Sequence, residues 1–285
     1  MSVVGRFRQL PTVDARVRLQ WARSNAARYF ALFQRQPRSS AVQPWRTPLR
    51  LGIGALALVA VVAASMVALD AWAATAARLI PEGVIAVFDE ITDFGKSVWL
   101  LVPVGVALAA LALVASPRLP RMSRGVLAAI AVRLGFLFVA VGLPGLIFTI
   151  AKRLIGRARP FVGGSADPFS YQPLGWDVEY ASLPSGHAID AFAIATAVGA
   201  LWPSLRPLMW TYAVAIAVSR VVLTAHFPSD VVAGAVVGVV GVLLVRDWFA
   251  RRGLAFSVGA DGIVRPWPGP SLARIKRVAR QLIAP

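Results

Sequence analysis

The stretch LGIGALALVAVVAASMVAL, residues 51–69, runs for nineteen residues without a charge and is bounded by Arg50 and Asp70. About 20 residues of helix cross the hydrocarbon layer of a bilayer, so this run reads as a transmembrane helix. Residues 98–116 and 134–150 repeat the pattern, and further apolar stretches occupy 187–203, 208–224 and 230–249. With 58% hydrophobic residues and a mean hydropathy of +0.68 over 285 residues, the chain is too apolar for a soluble domain. The expected fold is all-α: a polytopic membrane protein built as a six-transmembrane-helix bundle.

The first apolar run begins after a long polar segment, unlike the short charged start of a signal peptide, so it is expected to be a retained helix. The net charge of +17 raises the question of nucleic acid, and its distribution answers it. Residues 1–50 hold ten Arg, no Lys and one acid, Asp14; Arg118, Arg121 and Arg124 fill the next loop on the same side, and Arg206 and the tail beyond Arg246 follow. These are the segments that alternate topology places together, and such an excess marks the cytoplasmic face. Both termini are therefore expected inside, with a bilayer rather than nucleic acid as the partner of the cations. Residues 71–97 carry Glu82, Asp89, Glu90 and Asp93 against Arg78 and Lys96, and are expected outside as a loop with a short interfacial helix. The absence of Cys removes disulfides and thiolate metal sites.

Three segments follow from this. Residues 1–48 form a basic cytoplasmic segment in which Leu19, Ala22, Ala26 and Phe33 recur near helical spacing, as in an amphipathic surface helix, although a flexible basic arm fits equally well. Residues 49–250 form the membrane domain, and 251–285 a basic cytoplasmic tail, interrupted by Pro266, Pro268 and Pro270, that suggests surface association. Gly234, Gly238 and Gly241 form a small-residue stripe suited to close helix packing. Asp190 and Arg133 lie within apolar runs, where charge is costly; Asp190 either supports a site or bonds to a neighbouring helix, and Arg133 reads as reaching for the interface. The aromatic-rich segment 161–181 is either an interfacial anchor or a lid over a lipid.

The only two histidines sit in short motifs at the outer ends of expected spans. His187 ends Pro184-Ser185-Gly186-His187, and His226 lies six residues after Arg220 and four before Asp230. Earlier, Lys152 to Pro160 holds Lys152, Arg153, Arg157 and Arg159, cations that break the inside-positive trend. A phosphate held in a membrane protein needs fixed positive charge and directed N–H donors. Lys152, Arg159 and Arg220 supply the charge, and Ser185 and Gly186 open a helix whose first N–H groups favour an anion. His226 is the candidate nucleophile, Asp230 the carboxylate that fixes its tautomer, and His187 the acid for the leaving oxygen and base for water. This chemistry requires no metal and no cofactor.

Lys152-x6-Arg159-Pro160, Pro184-Ser185-Gly186-His187 and Ser219-Arg220-x5-His226-x3-Asp230 together resemble the three signatures of the type 2 phosphatidic acid phosphatase superfamily, with no departure at a signature position. The resemblance implies a metal-independent membrane lipid phosphatase with a phosphohistidine intermediate and a pocket open to the outer leaflet. By it, His226, His187 and Asp230 are catalytic, and Lys152, Arg159, Ser185, Gly186 and Arg220 hold phosphate. The expected location is a bacterial-type inner membrane with the site facing the periplasm or exterior. Candidate substrates are undecaprenyl diphosphate, phosphatidylglycerophosphate, phosphatidic acid and lipid A types. A phosphotransferase would use the same pocket with another acceptor, whereas a soluble haloperoxidase or a scaffold with a degenerate pocket fits poorly. Arg153 and Arg157 fall outside the signatures and read as solvated loop cations, with binding of a second phosphate or a lipid headgroup as the alternative.

Overall fold

The computed structural model describes residues 15–38, 47–116 and 119–283. Asp14, Arg118 and Pro44 therefore lie outside the described residues. Ten α-helices and a two-stranded hairpin are seen in this part: α1 (Ala15–Phe33), α2 (Pro48–Ser65), α3 (Ala71–Ala77), α4 (Glu82–Asp93), α5 (Val98–Val114), α6 (Arg121–Ile155), α7 (Gly186–Leu201), α8 (Arg206–Val222), α9 (Pro228–Arg251), β1 (Phe256–Val258), β2 (Val264–Pro266) and α10 (Leu272–Ile283).

Five helical stretches are long and apolar enough to cross a membrane: Pro48–Ala77, Glu82–Val114, Arg121–Ile155, Pro203–Val222 and Pro228–Arg251. The sixth expected span, α7, is apolar but has 16 residues. That length rises about 24 Å, short of the roughly 30 Å hydrocarbon layer. It is the central helix, packed against α6, α8 and α9, and its alanines are buried on all sides. Its first turn can therefore begin among protein groups instead of lipid headgroups.

The first span continues past the boundary that the sequence suggested. Thr47 caps α2 by accepting from the Arg50 N–H, and Pro48 sits in its first turn. The helix then passes through a π-turn, Met66–Asp70, into α3. Val67 and Leu69 face outward here while Asp70 is fully buried. Asp70 is thus not an end marker: a guanidinium neutralises it inside the protein, and the helix runs on to Ala77. Much of 71–97, expected as a loop, is likewise helical, as α3 and α4.

The glycine stripe of α9 lies against α7 and α6. A Cβ at Gly234 would stand 2.6 Å from the Ser185 carbonyl oxygen, one at Gly238 2.4 Å from that of Ile189, and one at Gly241 2.5 Å from the Pro144 ring. Glycine is required because the backbones touch, which locks the start of α9 to the start of α7. Toward the other end, Phe136, Phe249 and Phe256 pack edge to face at centroid distances of 5.3 and 4.8 Å. Phe256 belongs to the hairpin, so β1 packs on the bundle core. Val278 of α10 is buried against the start of α6, Ser123 donates to Gln281, and Arg133 donates to the carbonyls of Trp267 and Pro268. Residues 15–33 form a helix, α1, which packs on α5.

Candidate active site

The three motifs converge at the end of the bundle formed by the last turn of α6 and the first turns of α7 and α9. Lys152 occupies that last turn, and Gly156 ends the helix in the left-handed conformation, φ +67°. A Cβ on Gly156 would lie 2.0 Å from the Gln172 carbonyl oxygen, so only glycine turns the chain here. The following residues run extended: Arg157 pairs with Tyr171 in a β-bridge, the Ala158 N–H donates to Ser170, and the Arg159 N–H donates to Glu179. The Ser182 N–H donates to the Arg157 carbonyl at 3.0 Å, which returns the chain to α7. Segment 161–181 is thus stitched to the site by its backbone, and Arg78 stacks on the Phe161 ring at 3.3 Å.

The third motif has its spacing for a similar reason. Thr224 takes a positive φ after α8, and the N–H groups of Ala225 and His226 both donate to the Arg220 carbonyl, at 3.1 and 3.2 Å. Pro228 then opens α9. A single tight turn brings Arg220, His226 and Asp230 together.

His226 is 4% exposed and Asp230 fully buried. His226 Nδ1 lies 3.7 Å from Asp230 Oδ2, too long for a hydrogen bond, and 3.4 Å from Ser182 Oγ. The Ser182 hydroxyl donates to the same Oδ2 at 2.6 Å, as does the Phe227 N–H at 3.0 Å. With its proton committed to Asp230, Ser182 offers only a lone pair to His226, which favours the tautomer protonated at Nδ1 and leaves Nε2 free. Burial lowers the His226 pKa, Asp230 opposes this, and the charges of Arg220 and Arg159 reinforce it; the net direction is below 6.5. The imidazole is therefore neutral at neutral pH.

Arg157 is not a solvated loop cation: it is fully buried. Its guanidinium donates to Asp230 Oδ1 at 2.5 Å, Asp70 Oδ2 at 2.7 Å, Ser229 Oγ at 2.7 Å and the Pro168 carbonyl at 3.0 Å, and it lies over the Phe227 ring. Ser229 donates its N–H and its hydroxyl to Asp70. Burial would lower the Arg157 pKa, but Asp230 and Asp70 outweigh it and hold it raised. One guanidinium offsets only one of the two carboxylate charges, so the buried cluster is tolerable because Ser182, Ser229 and backbone N–H groups also donate to the carboxylates. Arg153, by contrast, is at the surface side, donating to the Trp176 carbonyl.

The groups expected to face phosphate have a different character. Ser185 Oγ, Arg159 Nε and Arg220 Nε are buried and have no hydrogen-bond partner among the described residues. Arg220 is held at its other end by Thr92 Oγ1 at 2.7 Å, and the Ser185 N–H by the Asp230 carbonyl at 3.0 Å. The Lys152 ammonium lies 3.9 Å from where a Gly186 Cβ would stand, so the missing side chain opens the space in front of it. His187 faces the α4–α5 turn: a Cβ on Gly95 would lie 3.0 Å from its ring. Asp190 accepts from the Ser97 N–H at 3.0 Å, which ties α7 to that turn. Among the described residues, no three His, Asp or Glu side chains are grouped to hold a metal ion.

All eight residues expected from the motifs thus lie at this end of the bundle. Asp70, Arg157, Ser182 and Thr92 were not read as site residues. Two had a signal: Arg157 is one of the cations on the wrong side for topology, and Asp70 is a carboxylate at the very edge of an uncharged run. Ser182 and Thr92 have none in spacing or composition.

A family model for the PAP2 superfamily matches residues 133–254, which contain all three motifs. A lipid A 1-phosphatase of Rhizobium etli is 33% identical over 226 residues, 79% of this chain and 91% of that protein. A lipid A 1-phosphatase of Rhizobium johnstonii is 38% identical over 133 residues, 47% of this chain and 53% of that one. Among solved structures, LpxE of Aquifex aeolicus aligns at 20% identity with a TM-score of 0.44, covering 62% of this chain and 94% of its own.

Proposed function

Because the chain belongs to the PAP2 superfamily, we propose that it removes a phosphate monoester from a membrane lipid, with a lipid A-type sugar 1-phosphate as the favoured substrate and His226 as nucleophile. The observation that carries the reaction is the set of buried, unpartnered donors on Ser185, Arg159 and Arg220 beside an imidazole whose Nδ1 faces Ser182 and Asp230. The relatives' names support the substrate class, since the first aligns over most of both chains.

His226 Nε2 attacks phosphorus, forming a P–N bond as the P–O bond to the lipid breaks. His187 gives a proton to the departing oxygen, then takes one from water as that water attacks the phosphohistidine. The P–N bond breaks, inorganic phosphate leaves and Nε2 is free again. Asp230 stabilises the imidazolium form through Oδ2, while Arg157 and Asp70 hold that carboxylate in place. Lys152, Arg159 and Arg220 offset the charge that builds on the equatorial oxygens, the larger part of the acceleration. Gly186 and the first N–H groups of α7 complete the cradle.

All six apolar helices cross the membrane in this reading, with both termini cytoplasmic and the site at the outer face of an inner membrane. Cysteine at Ser165 should then react with an impermeant reagent added outside and cysteine at Ala260 should not; the reverse overturns the orientation. The reaction is tested by phosphate release in detergent, with chelator present, from a lipid A precursor, phosphatidylglycerophosphate, phosphatidic acid and undecaprenyl diphosphate. Release that prefers the lipid A precursor and vanishes in His226→Ala is expected. Loss of activity on chelation contradicts the metal-free mechanism, and label moving to a second lipid without free phosphate identifies a transferase.

A further inference from the structure

At the far end of the bundle, a cavity of about 350 Å³ opens between α1 and the first turns of α6, beneath the C-terminus of α5. Arg28 of α1 and Arg121 and Arg124 of α6 line it, and among the described residues no carboxylate does. None of the three guanidinium groups makes a hydrogen bond or ion pair among the described residues, and Arg124 Nε is buried without a partner. From Arg124 to Lys152 is 28 positions along one helix, or about 42 Å at 1.5 Å per residue. The cavity is therefore on the membrane face opposite the phosphatase site.

Its walls are fixed from within. Asn25 is 4% exposed and donates both amide hydrogens to the last carbonyls of α5, to Ala112 at 2.9 Å and Ala115 at 2.7 Å. That contact holds α1 on α5 and keeps Arg28 facing Arg121 and Arg124 across the gap. Arg28 and Arg121 are exposed and Arg124 is half-buried; three like charges gathered around one space repel one another, and among the described residues no carboxylate is paired with them. Guanidinium forks match phosphate oxygens in pairs, so an anion of that kind relieves the repulsion. Besides Asn25 and Tyr29, the rest of the lining, Leu32, Ala115, Leu127 and Ala128, is apolar. A free phosphate ion has no use for that wall, whereas the glycerol and first methylenes of a phospholipid do.

We propose that this cavity binds the phosphate headgroup of an anionic phospholipid, with Arg28, Arg121 and Arg124 on the phosphate and Leu32 and Leu127 against the chain. Basic pockets between helices at a membrane face are suited to such headgroups. The lipid bridges α1 and α6, which otherwise meet weakly, and it is distinct from the substrate. The assignment does not rest on the reaction proposed above.

The test uses the full chain in detergent, titrated with phosphatidylglycerol or with inorganic phosphate and read by native mass spectrometry and by hydrogen exchange of α1. The wild type is compared with Arg28→Gln/Arg121→Gln/Arg124→Gln and with the charge-matched control Arg274→Gln/Arg277→Gln/Arg280→Gln, whose side chains are exposed on α10. One lipid should be retained and slow α1 exchange in the wild type and control, with affinity at least tenfold weaker in the first triple variant. Circular dichroism and melting temperature confirm that this variant is folded. Equal retention in the two triple variants overturns the site, and binding of inorganic phosphate with no preference for the lipid overturns the lipid assignment.

Discussion

The two sides of the candidate site are built on opposite principles. Around Asp230 and Asp70 the charges are buried and hydrogen-bonded, with Arg157, Ser182, Ser229 and backbone N–H groups meeting the two carboxylates. Across the histidines, Ser185, Arg159 and Arg220 keep buried donors with nothing to bind. A saturated network is stiff and costs little to keep, while an unsaturated one is a standing penalty that an anion removes. In the proposed reaction the first side fixes the geometry of His226, and the second supplies the driving force for a phosphoryl group to enter.

Breaking the nucleophile should have the largest effect. His226→Ala should lower kcat by roughly 10⁴-fold or more, since later steps have no intermediate to act on; single-turnover phosphate release measures it. Asp230→Asn should follow, at roughly 10²–10⁴-fold, through loss of the stabilised imidazolium. Removing the Asp230 charge removes an influence that raises the His226 pKa, so the acid limb of kcat/KM should also move to lower pH. In the wild type that limb, where protonation of His226 switches activity off as pH falls, should lie below 6.5.

Breaking the saturated side should act on stability. Arg157→Ala leaves Asp70 and Asp230 buried without their cation and should cost about 3–5 kcal/mol, read as a lowered melting temperature in detergent. Asp70→Asn should cost less and raise the susceptibility of the first span to unfolding, because Ser229 keeps a partner. On the unsaturated side, Ser185→Ala should leave stability unchanged or improved and reduce kcat/KM by roughly fivefold, the equivalent of about 1 kcal/mol for one hydrogen bond. A stability loss at Ser185 as large as that at Arg157 would erase the distinction between the two sides.

The helices were legible because a bilayer demands long uncharged runs, and the eight motif residues because phosphoryl chemistry demands cations, imidazoles and a carboxylate at fixed spacing. What escaped was charge whose meaning depends on a distant partner. Asp70 looked like the edge of a span because a lone carboxylate belongs in water, but Arg157, 87 positions away, makes it an interior residue. Arg157 looked like a loop cation for the mirror reason. The length of α7 also escaped, since a hydropathy run cannot tell a helix that faces lipid from one enclosed by three others. The fold of 251–285 was hidden by short strands and prolines, which carry little periodicity.

The central claim is that His226 carries the phosphoryl group. Its direct test is to mix the purified protein with a ³²P-labelled lipid A 1-phosphate, quench rapidly in alkali and look for protein-bound label that is stable to base and lost in acid. Label on a peptide containing His226, absent in His226→Ala and longer-lived in His187→Ala, is the predicted result. Full phosphate release with no label on any His226 peptide in either the wild type or His187→Ala would contradict it.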